Sequence, residues 1–398
     1  MIIALSAGRD SSPELRARLA LDEPGVRMLL RKPGPGIGGM VVLSTCHRTE
    51  VYAIAEGSDA EAVHTVVAML PQLHPSDQQE LRAMRGSEAV EHLFRVACGL
   101  DSLVIGEPQV LGQVRRALVL AQEESAVNGL LSSVFQRAIR LGRRARNETS
   151  LGGLGLSVGR LTAQHLDDWF DGLSGRSAAV VGAGEAATDA AGSLRGAGAS
   201  ISVLSRHAAS ARRLAVAVGG TAYPMDQMAD VFARSDCAVV AISGGVQVHP
   251  EHLPVRAPLD AFVVIDISAP PSVDVAGRSD VQVRTLEDLP APHGPETAAA
   301  VVDAEAMVKG AVAELERWLD TRASGRAVGD LRMYADNVVR AEVARVAASI
   351  DLSEAEAERL AAIGMRISNK LLHGPSVAMK DADEQTRTQL RRIFGIAP

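Results

Sequence analysis

Aromatic residues are scarce, at 3% of 398 residues, which leaves little for stacking on exposed bases. Cysteine is scarcer still. Cys46, Cys98 and Cys237 make an odd, scattered set of three, which argues against a disulfide framework and fits a reducing cytoplasm. Lysine occurs only at Lys32, Lys309, Lys370 and Lys380, so arginine carries nearly all the positive charge, a matter of residue usage rather than chemistry. No apolar run approaches the roughly 18 residues of a membrane helix. The start, Met1-Ile-Ile-Ala-Leu-Ser, lacks a basic leader segment and reads as a first strand. Formal net charge is −7, so the surface as a whole is not built for nucleic acid, although a local basic patch remains open. His249-Pro-Glu-His252 has no metal-ligand spacing, and no metal site is expected. No internal repeat or low-complexity tract stands out.

What is present is a globular composition, 47% hydrophobic and 22% charged, long enough for two to three domains. Residues 1–150 mix strands at Ile2–Ser6, Val41–Thr45 and Val51–Ala55 with helical patterns over 87–99, 109–123 and 130–147, the last ending near Gly152-Gly153. From residue 177 the pattern changes. Apolar strands at Ala178–Val181, Ile201–Leu204, Cys237–Ile242 and Val263–Ile267 alternate with helical stretches, which predicts a doubly wound parallel sheet. Beyond Pro295 the chain reads as helix only, over 296–321, 328–349, 353–373 and 382–394. The fold class is therefore α/β and multidomain. It comprises an α+β domain at 1–150, a Rossmann-like domain at 151–294, a connecting helix at 295–322 and a helical domain at 323–398. The apolar stripes of that tail need a partner, and we read it as a homodimerisation element; packing on the other domains is the plainer alternative.

Gly182-Ala183-Gly184-Glu185-Ala186-Ala187 sits between a predicted strand and a predicted helix. Glycines there let the backbone approach a pyrophosphate, and a helix N-terminus offers unpaired N–H groups. A glycine turn without ligand is the bland reading. An NAD site carries Asp or Glu at the end of the next strand, whereas this strand ends in Ser205-Arg206. A hydroxyl and a guanidinium suit a 2′-phosphate, which favours NADPH. An arginine on a solvated helix start is the alternative.

Cys46 lies at a strand end between Thr45 and His47-Arg48. Cationic neighbours lower a thiol's pKa and raise its thiolate fraction, although a single cysteine is as often a small buried hydrophobe. The surrounding stretch, Ser44-Thr-Cys-His-Arg-Thr-Glu-Val-Tyr52, resembles the active-site motif S-T-C-N-R-T-E-V-Y of the glutamyl-tRNA reductase family. Gly99-Leu-Asp-Ser-Leu-Val-Ile-Gly-Glu-Pro-Gln-Val-Leu-Gly-Gln113, Ala138–Thr149 and Asn369-Lys-Leu-Leu-His-Gly-Pro375 are similar to further motifs of the same family, in the same order. This sequence departs from the pattern in three places. His47 stands for Asn, Ala7-Gly-Arg-Asp-Ser-Ser-Pro13 lacks the family's N-terminal histidine, and Pro270-Pro271 stands for Pro-Arg.

The resemblance implies an enzyme that reduces glutamyl-tRNA(Glu) with NADPH to glutamate 1-semialdehyde, the first step toward 5-aminolevulinate and tetrapyrroles. Cys46 would be the nucleophile that forms a thioester, and His92 a candidate proton donor or acceptor. By the residues alone, His92 is a helical histidine on an apolar face. Arg48 would take the substrate carboxylate. Thr45, His47, Ser102, Glu107, Pro108, Gln109 and Gln113 would surround the glutamyl group, although Glu107-Pro108 also reads as an ordinary helix start. A homodimer, and glutamate-1-semialdehyde aminotransferase as a partner, follow from the same resemblance. Seven arginines in 111–147 (115, 116, 137, 140, 143, 144 and 146) against Glu123 and Glu124 leave a local net of +5. Arg137, Arg140 and Arg144 share one predicted face for tRNA phosphates, or a merely solvated one. Two rival readings stay open: a homologue that binds glutamyl-tRNA without reducing it, and a thioester-forming NADP-dependent aldehyde dehydrogenase acting on another activated acyl group.

Overall fold

A computed structural model describes residues 1–45, 47–70, 72–102, 104–152, 157–242, 247–257, 261–289, 295–350 and 352–396. Cys46, and with it Leu103 and Gly153, lie outside the described residues. The chain forms two compact units, 1–311 and 312–398.

The first unit opens with β1 (Ile2–Ala7), α1 (Pro13–Leu19), α2 (Glu23–Leu30), β2 (Ile37–Ser44), β3 (Thr49–Ala55), α3 (Asp59–Ala68) and β4 (Arg82–Arg85). Their antiparallel sheet has the order β2-β3-β1-β4, with Ile3 opposite Ala53 and Leu5 opposite Val51. β1 and β3 are buried along their whole length, as continuous apolar strands must be when both faces are covered. Three helices follow: α4 (Ser87–Cys98), α5 (Pro108–Glu123) and α6 (Gly129–Glu148). α4 ends at Gly99, whose φ of +76° suits the left-handed cap. α4 and α6 cross closely: a Cβ on Gly142 would sit 2.3 Å from the Ala97 carbonyl oxygen.

α7 (Val158–Phe170) leads into β5 (Ser177–Val181), α8 (Glu185–Gly196), β6 (Ser200–Leu204), α9 (Ala208–Val218), β7 (Thr221–Tyr223), α10 (Met228–Ala233), β8 (Cys237–Val240), β9 (Phe262–Asp266) and β10 (Val281–Thr285). These strands form one parallel sheet in the order β10-β9-β8-β5-β6-β7. The order reverses between β5 and β8, and in such sheets that switch point is where a ligand sits. Apolar clusters cover both faces, one around Val180, Leu194 and Ile265 and the other around Val181, Phe232 and Val264. The doubly wound sheet expected from the alternating pattern is present.

The all-helical tail differs from expectation in one respect. The segments read as 296–321 and 328–349 are one continuous helix, α11 (Pro295–Ile350), of 56 residues. Gly325 and Gly329 lie within it, and an isolated glycine costs a helix only about 1 kcal/mol relative to alanine. The alanines, arginines and leucines around them carry the helix through. α12 (Glu354–Leu371), α13 (His373–Asp381) and α14 (Glu384–Ile393) complete the second unit. A small cluster of Ala327, Val328, Leu331 and Met379 forms its core, and the buried Arg387 bonds to Ser324 Oγ at 2.8 Å and the Ala382 carbonyl at 2.6 Å. Ile363, Ile367 and Leu371 lie along α12 at four-residue spacing and are 47%, 55% and 71% exposed, an apolar row that the second unit leaves uncovered.

Candidate functional site

The connection after β2 and the start of β3 carry Thr45, His47, Arg48 and Glu50. The tight link is held by Thr45, whose N–H donates to the Arg48 carbonyl at 2.8 Å and whose Oγ1 accepts from the N–H groups of His47 and Arg48, both at 3.2 Å. Thr45, His47 and Arg48 border a cavity that Ser102, Glu107, Gln109 and Gln113 also line. Gln109 and Gln113 are four residues apart on α5 and so share a face. Ala186 of α8 and Ile267 after β9 close the opposite wall. Most of the expected acyl-binding residues are thus brought to one place, against the first turn of the glycine-loop helix. Pro108 is not among them: it is exposed at the start of α5, with Glu107 as the N-cap.

Arg48 borders the cavity from a buried position. Its side chain is 5% exposed and its Nη1 donates to Glu50 Oε1 at 2.9 Å and to Asp101 Oδ2 at 3.2 Å, while Nη2 reaches the Asp101 carbonyl. The guanidinium expected to fork onto a substrate carboxylate is held in place by Glu50 and Asp101 where it lines the cavity. Glu50 is fully buried and also accepts from Ser6 Oγ at 3.1 Å and Tyr52 Oη at 2.7 Å, with His92 Nε2 at 2.9 Å. Burial alone would raise the Glu50 pKa, but His92 and Arg48 outweigh it and hold the carboxyl well below its usual range. Burial and the same carboxylate push the Tyr52 hydroxyl well above its ordinary value, so it stays a donor.

His92 therefore stands behind the cavity wall. It is 5% exposed on the buried face of α4, stacks on Tyr52 with ring centroids 6.5 Å apart, and its Nδ1 lies 3.9 Å from Asp101 Oδ2. Its route to the cavity runs through Asp101, which does line it. Glu50, His92 and Asp101 bring ligand-type atoms within 4.8 Å of one another, and Arg48 supplies the cation they share.

His47 also differs from expectation. Burial, then the Arg16 and Arg48 charges, push its pKa down to about 4, so at neutral pH it is an uncharged imidazole and lends no positive charge to a neighbouring thiolate. Glu107 moves the other way. Burial, reinforced by Asp189, raises its carboxyl to about 7 against the pull of Arg48 and Arg146, which puts it near half-protonation at neutral pH. Cys98 and Cys237 are buried and burial pushes both thiols up to about 12, so they are inert, as expected.

The glycine loop has the geometry a dinucleotide needs. Gly182, at the end of β5, has φ +122°, and a Cβ there would lie 2.1 Å from the Ala241 carbonyl oxygen. Gly184 is the N-cap of α8, with open space where a side chain would be and no side-chain cap on the first-turn N–H groups. Ala183, Gly184 and Glu185 face a second cavity shared with Gln109 and Gln113, while Ala187 is buried against the sheet. Ser205 and the exposed Arg206 follow β6. These residues fit a nicotinamide dinucleotide: a close-approach loop, an uncapped helix start and a ribose-side pair lie in the expected order.

The arginine face on α5 and α6 is thinner than the sequence count of charges. Arg116 pairs with Glu23, Arg144 pairs with Glu148 at 3.1 Å, and Arg146 turns inward to the Glu107 carbonyl at 2.7 Å. Arg140 and Arg143 are exposed. Glu123 and Glu124 are answered by Arg27 and Arg31 of the α2 end at 2.7–2.8 Å.

Comparison with known proteins decides the family. A family model of the glutamyl-tRNAGlu reductase N-terminal domain matches residues 8–149, and one of its dimerisation domain matches 303–396. A glutamyl-tRNA reductase of Rubrobacter xylanophilus is 34% identical over 398 aligned residues, covering 96% of this chain and 92% of that protein. The chain belongs to the glutamyl-tRNA reductase family. A glutamyl-tRNA reductase of Thermus thermophilus is 39% identical, with 69% of each chain covered. The solved glutamyl-tRNA reductase from Methanopyrus kandleri aligns over 99% of this chain and 98% of its own, at 28% identity and a TM-score of 0.55. Residues 164–291 match a shikimate/quinate 5-dehydrogenase family model, in keeping with a nicotinamide-dependent domain. Among the described residues no helix is long and apolar enough to cross a membrane.

Asp101, Arg16 and Arg9 were missed on sequence, yet all three line the cavity that Thr45 and His47 border. Asp101 lay within the quoted Gly99–Gln113 motif; Arg9 and Arg16 carried no local signal beyond their charge.

Proposed function

We propose that this protein reduces glutamyl-tRNA(Glu) to glutamate 1-semialdehyde with NADPH, through a thioester on Cys46, at the entry to 5-aminolevulinate and tetrapyrrole synthesis. The observation that carries the reading is the cavity that Thr45, His47, Arg48, Ser102, Gln109 and Gln113 share with Ala186 of the glycine-loop helix, adjoined through Gln109 and Gln113 by the second cavity at the start of that helix, in a chain of this family. An acyl group held in the cavity that Thr45 and His47 border is thereby next to the place where a dinucleotide would bind.

The chemistry follows from the bonds involved. The Cys46 thiolate attacks the ester carbonyl, a carbon–sulfur bond forms, and the carbon–oxygen bond to the terminal ribose of the tRNA breaks with protonation of the leaving hydroxyl. A thioester carbonyl is more electrophilic than the ester, and hydride can reduce it. A reduced nicotinamide dinucleotide, its pyrophosphate held by the Gly182–Ala187 turn, would supply that hydride; the carbon–sulfur bond then breaks, which releases the aldehyde and restores the Cys46 thiolate. Arg48, Glu50, Asp101 and His92 form a buried wall of the cavity, with Arg48 and Asp101 its cavity-facing members. Glu107, poised near neutrality, is suited to exchange a proton with the carbonyl oxygen or the leaving group. NADPH rather than NADH is supported by Ser205 and the exposed Arg206 standing where an acidic residue would bind a free 2′-hydroxyl.

We assign 1–150 to catalysis, 151–294 to the dinucleotide, 295–322 to the connecting helix and 323–398 to homodimerisation. The dimer is supported by the uncovered apolar row of α12. A cytoplasmic location, and hand-over of the reactive aldehyde to glutamate-1-semialdehyde aminotransferase, complete the reading. Labelled glutamyl-tRNA(Glu) incubated with NADPH tests it: the product should be the semialdehyde with wild type and nothing with Cys46→Ser. Turnover surviving in Cys46→Ser would sink the thioester, and an NADPH-binding protein inert to glutamyl-tRNA would be a non-reducing homologue.

A further inference from the structure

A further cavity lies at the carboxyl ends of β9 and β10, with Arg16 and His47 on one side and Asp266, Ser268 and Glu287 on the other. Arg16 and His47 also line the cavity that Thr45 borders, so they form a wall common to the two. The space outside the carboxyl ends of such strands is where a parallel sheet takes its ligand. This seam therefore joins the acyl cavity to the edge of the dinucleotide sheet. The sheet side of it is stiff. The buried Asp266 carboxylate, at the end of β9, accepts from the N–H groups of Ser268 at 3.0 Å, Ser272 at 2.6 Å and Val273 at 3.1 Å. The turn after β10 is closed by Asp288 Oδ2, which accepts from the Thr285 N–H and hydroxyl, both at 2.8 Å. Across the seam, Arg16 of α1 is 6% exposed, and its Nη2 donates to Glu287 Oε1 of that turn, 271 positions away. Glu287 itself lies outside the cavity that Thr45 borders.

We propose that the Arg16–Glu287 pair is a positioning contact for the second half of the reaction: it pins α1 and the β2–β3 turn to the end of the dinucleotide sheet, so that hydride reaches the acyl group before water does. This rests on the reading of the protein as a glutamyl-tRNA reductase. Two fates compete for a thioester. Hydride adds to the carbonyl carbon, the carbon–sulfur bond breaks, the aldehyde leaves and the nicotinamide is oxidised. Alternatively water adds, the same bond breaks and free glutamate leaves. Forming the thioester needs only the acyl cavity and Cys46, whereas hydride transfer needs two parts of the fold to bring reacting atoms within about 3–3.5 Å. A displacement of about 1 Å there costs on the order of a hundredfold in rate.

The test uses the whole protein and labelled glutamyl-tRNA(Glu) in single turnover, with wild type, Glu287→Gln and Glu287→Asp. Three quantities are read: label taken up by the protein without NADPH, the ratio of semialdehyde to free glutamate with saturating NADPH, and NADPH affinity by fluorescence titration. Glu287→Gln should take up label and bind NADPH as wild type does, yet reduce the acyl group roughly tenfold to a hundredfold more slowly and release glutamate in place of semialdehyde. Glu287→Asp, which keeps the charge, should recover part of the reduction. The proposal is overturned if Glu287→Gln keeps the wild-type ratio of products, if label uptake falls as far as reduction does, or if weaker NADPH binding accounts for the loss. A wild type that takes up no glutamyl label and forms no semialdehyde fails at the earlier step and overturns the reductase reading itself.

Discussion

Glu50 holds the wall of the site, and its replacement by glutamine isolates what its charge does. The side chain keeps its shape, but the carboxylate that faces Ser6, Arg48, Tyr52 and His92 at 2.7–3.1 Å becomes an amide. Arg48, 5% exposed, is left with Asp101 as its charge partner. Breaking a buried ion pair costs about 3–5 kcal/mol, and Asp101 retains part of the compensation, so we expect about 3 kcal/mol from Glu50→Gln. Urea unfolding with hydrogen-exchange protection of β1 and β3 as the probe should show the loss. With a slope of about 1–3 kcal/mol per molar urea, the midpoint should fall by roughly 1–3 M. The pH dependence gives a second check. The folded-state pKa of Glu50 is depressed, so its stabilisation is complete above its unfolded value of 4.5 and is lost as the pH falls below that. Glu50→Gln should therefore flatten the acid limb of the stability profile. A midpoint shift equivalent to under about 0.5 kcal/mol, the scale of an ordinary surface change, would refute the claim that this carboxylate organises the wall.

Other outcomes follow from single features. Gly182→Ala puts a methyl 2.1 Å from the Ala241 carbonyl oxygen at φ +122° and should abolish NADPH binding by fluorescence titration while leaving glutamyl-tRNA binding in place. Arg206→Glu should weaken NADPH by about tenfold to a hundredfold, the scale of one charge-assisted hydrogen bond, and leave NADH unharmed, read as a ratio of kcat/KM values. Glu107, raised from 4.5 to about 7 by burial, is an acid that the fold keeps protonated, so stability should fall as pH rises from 4.5 through about 7, by about 3 kcal/mol in all. Glu107→Gln should remove that slope in urea unfolding followed across the range. Ile367→Asp, on the uncovered row of α12, should turn a dimer into a monomer in light scattering.

Much of this was legible in the chain. β1, β3 and β5 are apolar runs bounded by turn residues, and the glycine loop is read directly because only a strand–turn–helix needs that spacing. The residues around the cavity were legible through their motifs. What escaped depends on distant pairing. That Arg48 would be spent on Asp101 cannot be read locally, because the two are 53 positions apart. That Arg146 would turn inward, and that His47 would be uncharged, follows from packing that no window of sequence contains. The gap left at 322–327 between two helical patterns was closed by residues whose helix-forming tendency carries α11 through.

The central claim is that an acyl group passes from tRNA to Cys46 and then takes a hydride. It is tested most directly by single-turnover reaction of wild type and Cys46→Ser with labelled glutamyl-tRNA(Glu), without NADPH and then with NADPH carrying deuterium at the transferable position. We expect glutamyl label to stay covalently on the wild-type protein alone in the first stage. In the second it should leave as glutamate 1-semialdehyde bearing one deuterium at the aldehyde carbon. Semialdehyde formed by Cys46→Ser, or product without deuterium, would contradict the account.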